Sequence, residues 1–297
     1  AHLLLSVASV PEEDIPKIVH HLQRCVALFD LMAQQWKVME TLTPQDFLSF
    51  RDRLGTSSGF ESWQMRAVEM LLGLESSQRI GGMDPMIHFE KLLAEGTISS
   101  DVMADLKTID ASPSLNETMR TWLSRTPVNA IAGDKEVLNS YVERHLEIMK
   151  SHGEQVITHM VDIGHGEEES IRPRIESGIA GAEEFLRPDG EIDAARVGLL
   201  FIESYRELPL LAWPRKLIDT VVELEQSMLL FRSHHARMVE RMIGRRMGTG
   251  GSSGVDYLDA TLKYRIFVDL WSVRTLLVKR DALPDAKNLE FYGFAQS

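Results

Sequence analysis

Two adjacent histidines, His234 and His235, lie in the run 232–254, RSHHARMVERMIGRRMGTGGSSG, where a helical pattern gives way to glycine and hydroxyl residues. From Leu217 onward the apolar residues Leu217, Val221, Leu224, Met228, Phe231, Met238 and Met242 recur at steps of three and four, the period of one helix face. His235 falls on that face, four residues after Phe231 and three before Met238, while Arg232, Arg237, Glu240 and Arg241 fall on the other side. An imidazole among apolar residues needs a partner. Two readings stand: a core histidine satisfied by a backbone carbonyl, or a ligand to a metal or haem iron. His234 is turned roughly 100° away and reads as flanking.

The stretch 248–254, GTGGSSG, has four glycines in seven residues. Glycine admits positive φ, and N–H groups beside the hydroxyls of Thr249, Ser252 and Ser253 suit a carboxylate or phosphate. No Gly-Lys-Ser/Thr follows, which excludes a nucleotide P-loop, and a plain flexible linker is the alternative. The stretch directly follows the histidine helix, so a group held by Thr249 would lie near whatever His235 holds. Arg51 is the third chemical feature: it comes four residues after Phe47 and three before Leu54, so a guanidinium projects from an apolar face. It reads either as a clamp for a carboxylate or as one side of a salt bridge to Asp46, Asp52 or Glu61.

These residues need helices to place them. A long amphipathic helix is expected over 12–42, with Ile15, Val19, Leu22, Val26, Phe29, Met32, Trp36 and Met39 on one face and Pro16 in its first turn. Thr43-Pro44 pairs an N-cap with proline at the first helical position and opens a short helix through Phe47, Phe50, Arg51 and Leu54. Further helices are predicted over 60–74, over 86–106 with a break near Gly96, and over 117–124, with connections at 110–116 and 126–133. The pieces within about 76–133 read as a small insertion on a framework of longer helices. The span 134–164 is a long helix whose His145, His152 and His159 share one face as a polar seam, too far apart for a single ion. Residues 164–181, acidic and glycine-rich with Pro173, read as a mobile loop. A helix over 182–207 with a turn at Arg187-Pro188-Asp189-Gly190, the histidine helix, a helix over 255–277 and an irregular tail follow. Residues 1–9 look like the end of a helix that starts outside this sequence. Strand-like alternation is scarce, so the fold class is all-α.

A hydrophobic fraction of 44% with 26% charged residues is that of a globular chain able to bury a cofactor. A net charge of -12 argues against nucleic acid or an anionic membrane as the main partner, since there is no basic surplus to meet phosphates. Cys25 is the one cysteine, which excludes an intrachain disulfide and a cysteine-cluster metal site and fits a reducing compartment. No apolar run approaches the ~20 residues needed to span a bilayer, and the expected location is cytoplasmic.

Two blocks, WKVMETLTPQDFLSFRDRLGTSSGFESWQMRAVE over 36–69 and LFRSHHARMVERMIGRRMGTGGSSGVDYLDATLKYRIFVDL over 230–270, carry a resemblance to the tryptophan 2,3-dioxygenase family of haem-dependent oxygenases. The resemblance implies a single helical domain over 1–297 built around haem b, with His235 as axial ligand to the iron. It places Phe47, Arg51 and Leu54 at the substrate, the arginine holding its carboxylate, and Thr249 on the substrate's amino and carboxylate groups. Ser58, Gly59 and Phe231 lie beside the cofactor. It also implies an aromatic L-amino acid and O2 as reactants, cleavage of the tryptophan indole ring to N-formylkynurenine, and a homo-oligomer, tetramer or dimer.

This sequence departs from the family pattern in places. The usual Phe-Gln-Ser-x-Gln-Tyr/Phe-Arg is here Phe60-Glu61-Ser62-Trp63-Gln64-Met65-Arg66, and the tryptophan before the ligand-helix arginine is Phe231. The family's distal histidine is not found in this sequence, so no catalytic residue is assigned. A haem-dependent monooxygenase of the same superfamily, hydroxylating tyrosine or oxidising a modified tryptophan, and a non-enzymatic haem sensor are the alternative readings.

Overall fold

Helix starts in this chain are written in capping residues. Asp14 accepts from the Lys17 N–H at 3.3 Å and opens α1, Ile15–Met39, with a proline in its first turn where a missing N–H costs nothing. Thr43 does the same for α2, Pro44–Asp52, through the Asp46 N–H at 3.2 Å. There follow α3 (Trp63–Leu72), α4 (Pro85–Ala94), α5 (Ser100–Asp110) and α6 (Leu115–Leu123). A two-stranded antiparallel hairpin pairs Pro127 with Ala132 and Val128 with Ile131. Next come α7 (Lys135–Asp162), α8 (Glu168–Leu186), α9 (Ala194–Ser204), α10 (Ala212–Ile243), α11 (Val255–Thr261), α12 (Val268–Ser272) and α13 (Leu289–Tyr292). This computed structural model describes residues 4, 14–53, 63–79, 82, 84–245 and 254–293. Helices with one short hairpin among those residues make the fold all-α, as expected.

Two compact units divide the chain: residues up to Glu117 with Leu217–Phe267, and Thr118–Lys216 with the residues from Val268 on. In the first, α1 turns Val19, Leu22, Cys25, Phe29 and Ala33 inward, and α10 buries Leu217, Val221, Leu224, Met228, Met238 and Met242, the stripe foreseen from spacing. Phe47 of α2 packs with Met238 and Met242, and Trp36, Met39, Leu42, Val239 and Ile243 close around them. In the second unit α9 is apolar nearly all round, with Val197, Leu199, Leu200 and Phe201 fully buried.

Four expectations are corrected. Residues 164–181 are not a loop: α8 runs through Pro173, because Ile171, Ala182 and Leu186 are buried and Arg172 bridges Glu168 on its own helix and Glu154 on α7. The helix expected over 255–277 breaks after Thr261, where buried Glu225 accepts from the Ile266 N–H at 2.5 Å and the Phe267 N–H at 3.3 Å. The histidine seam of α7 is not uniform: His145 is fully buried with Nε2 2.8 Å from the Leu276 carbonyl, whereas His159 is exposed. The tail carries α13, whose buried Tyr292 hydroxyl accepts from the Ala130 N–H at 2.6 Å and donates to the Pro127 carbonyl.

Candidate functional site

Within the first unit, α1 and α10 bring an aromatic group to His235. The imidazole stacks on the Trp36 indole, ring centres 4.6 Å apart and planes 14° apart, with Phe231 6.4 Å away on the preceding turn. Phe231 in turn meets Trp36 at 5.5 Å and Phe29 at 5.8 Å. The spacing of apolar residues on both helices explains this: Phe29 and Trp36 lie seven apart, two turns, and Phe231 and His235 four apart. Trp36 also packs against the cluster that holds Phe47, Met238 and Met242, so its indole meets Phe231, His235 and that cluster.

The His235 ring is half-buried, and burial pushes its pKa down to about 4, so it is neutral at ordinary pH. No hydrogen bond to it is found among the described residues. His145 differs in having the Leu276 carbonyl at its Nε2, although its Nδ1 is buried without a partner among the described residues. His234, half-buried, has its Nδ1 enclosed without a partner among the described residues. Arg51 is half-buried on α2, one turn beyond buried Phe47, and among the described residues no acid lies within ion-pair range of it. Leu54, Ser58, Gly59 and Thr249 lie outside the described residues.

Reading by spacing put Arg232 on the polar side of α10, and there it is overturned. Arg232 is buried, its Nη2 2.6 Å from Glu69 Oε1 on α3. The same carboxylate takes Arg66 Nη1 at 2.6 Å and Arg79 Nη1 at 2.8 Å, and Arg66 also donates to the Tyr257 hydroxyl of α11 at 2.5 Å. Arg232 further stacks 5.2 Å over the Tyr264 ring. Burial alone would raise the Glu69 pKa, but Arg66, Arg232 and Arg79 outweigh it and hold the carboxyl below its usual range. Trp36, Glu69 and Arg66 carry no sign of this role in the sequence beyond the three-residue step from Arg66 to Glu69, which by itself reads as a surface pair.

A donor set of one neutral imidazole in aromatic surroundings suits a metal that brings its other ligands with it, as haem iron does. Among the described residues no three His, Cys, Asp or Glu side chains converge, so a bare ion has no such set there. The residues present therefore fit haem held by His235.

Fold and site together define an all-α protein that offers, from a long helix, an imidazole with no hydrogen-bond partner among the described residues. The model of the tryptophan 2,3-dioxygenase family matches residues 1–277. Tryptophan 2,3-dioxygenase 2 of Ralstonia nicotianae is 41% identical over 99% of this chain and 83% of its own length. Tryptophan 2,3-dioxygenase of Sorangium cellulosum is 40% identical over 96% and 72%, and a tryptophan 2,3-dioxygenase-like protein of Xanthomonas campestris 42% over 85% and 98%. The chain belongs to the tryptophan 2,3-dioxygenase family.

Proposed function

We propose that this protein is a haem-dependent dioxygenase that opens the indole ring of L-tryptophan with O2, giving N-formylkynurenine. The observation that carries the reading is His235: an imidazole kept neutral and, among the described residues, without a hydrogen-bond partner on the apolar face of α10, in a chain of this family. His235 would hold the iron, with Phe231, Ser58 and Gly59 beside the cofactor. When bound, haem supplies the redox centre at which O2 becomes reactive.

The chain's own part is to bind and orient. Arg51, with no acid among the described residues to neutralise it, would take the substrate carboxylate through two parallel N–H donors, and the Thr249 hydroxyl would meet the amino-acid end as well. Phe47 and Leu54 would then set the plane of the indole against apolar side chains. Fixing the substrate at one end and along one face removes the rotational freedom that would otherwise oppose reaction. A low pKa at His235 keeps its lone pair free through the neutral range. A homo-oligomer, tetramer or dimer, in the cytoplasm completes the reading. Among the described residues no helix is long and apolar enough to cross a membrane.

Purified protein reconstituted with haem is tested with L-tryptophan and with L-tyrosine under labelled O2. Tryptophan gaining two labelled oxygen atoms is the expected result. One oxygen added to tyrosine would replace the dioxygenase by a hydroxylase, and reversible CO binding without turnover would make the protein a sensor.

A further inference from the structure

The Glu69 carboxylate lies where three chain segments meet, and none of the site residues named above accounts for it. Its partners are Arg66 on its own helix, Arg79 beyond α3 and Arg232 on α10, all buried. Arg66 extends the arrangement to α11 through the Tyr257 hydroxyl. Three of these segments, α3, α10 and α11, lie close in sequence to a residue of the proposed site. Arg232 is one turn before His235, α3 begins four residues after Gly59, and Tyr257 comes eight residues after Thr249. A buried carboxylate shared by three guanidiniums is held in one geometry, because each donor fork fits a limited set of oxygen positions and breaking any pair leaves an uncompensated buried charge.

We propose that Glu69 is a positioning residue for the reaction: it fixes the rotation of α10 that presents His235, and through Arg66 and Tyr257 it fixes the start of α11 that follows the glycine-rich stretch. The proposal rests on the reading of His235 and Thr249 as cofactor and substrate residues. It assigns the two ends of the arrangement separable effects. Losing the Tyr257 hydroxyl loosens only the substrate side, which weakens ground-state and transition-state binding alike and so raises KM while leaving kcat. Losing the Glu69 charge loosens both sides.

The test compares wild type, Tyr257→Phe and Glu69→Gln, each reconstituted with haem, by haem titration, by KM and kcat for L-tryptophan, and by far-ultraviolet circular dichroism. For Tyr257→Phe we expect KM to rise about fivefold, with kcat and haem affinity within twofold of wild type. For Glu69→Gln we expect haem affinity to fall and KM to rise at least tenfold each with helix content retained. Wild-type KM in Tyr257→Phe overturns the proposal, and so does a folded Glu69→Gln with wild-type haem affinity. If Glu69→Gln does not fold, the Tyr257→Phe split decides alone. A wild type that binds haem but leaves tryptophan untouched sinks the proposed function instead, and the haem titration of the folded Glu69→Gln then still decides for or against Glu69.

Discussion

In the proposed site Arg51 would supply a charge and His235 a lone pair, and each can be removed singly. His235→Ala should lose haem retention and the Soret band, while His234→Ala, whose ring is turned to another side of α10, should keep both. Equal losses in the two variants would reject His235 as the ligand. Arg51→Ala removes a charge-assisted contact worth about 1.5–3 kcal/mol, so KM for tryptophan should rise tens- to a hundred-fold with haem content unchanged. Loss of haem instead would make Arg51 structural. At this scale the sequence was legible where a residue type clashed with its setting: an imidazole on an apolar stripe and a guanidinium between Phe47 and Leu54 are visible from spacing. Trp36 was not, because an aromatic on an apolar stripe is ordinary core until its neighbour is known.

Helices of the second unit meet through contacts that tolerate little change. Gly198 on α9 passes so close to the end of α6 that an added Cβ would overlap the Leu123 carbonyl oxygen and crowd Thr126. Alanine would gain about 1 kcal/mol in helix propensity and lose about 3 kcal/mol to overpacking against a backbone atom that cannot turn away. Gly198→Ala should therefore be about 2 kcal/mol less stable, seen as a lower urea midpoint; an unchanged midpoint would mean that α6 gives way. The start of α2 followed the capping signal read at Thr43-Pro44, and Asp14 and Asp134 cap α1 and α7 in the same way. Pro173 and the glycines around it misled because proline and glycine lower helix propensity locally, whereas α8 persists through a face buried along its length.

Over the whole molecule, acid should unfold the protein sooner than its net charge alone suggests. Burial holds His145 and His235 below the ordinary imidazole value, the latter at about 4. The unfolded chain binds more protons than the folded one as pH falls from about 6.5 toward 4, so stability drops across that window. Glu69 and Asp193, held below the usual carboxylate range, contribute stability that is present above about pH 4 and lost as pH falls through their folded values. Urea midpoints of haem-free protein should fall from pH 7.5 to pH 5, and less so in His235→Phe. A midpoint flat over that range would show the imidazoles to be solvated.

The sequence by itself determined the all-α class, most helix starts, the inward face of α10 and the family, since each rests on residue spacing along a single segment. Only the tertiary structure decided that Arg232 turns inward to Glu69, that Trp36 covers His235 and that His145 meets the Leu276 carbonyl. Those outcomes depend on which distant segment arrives at a helix face, and a charge or ring takes its role from the partner that meets it there.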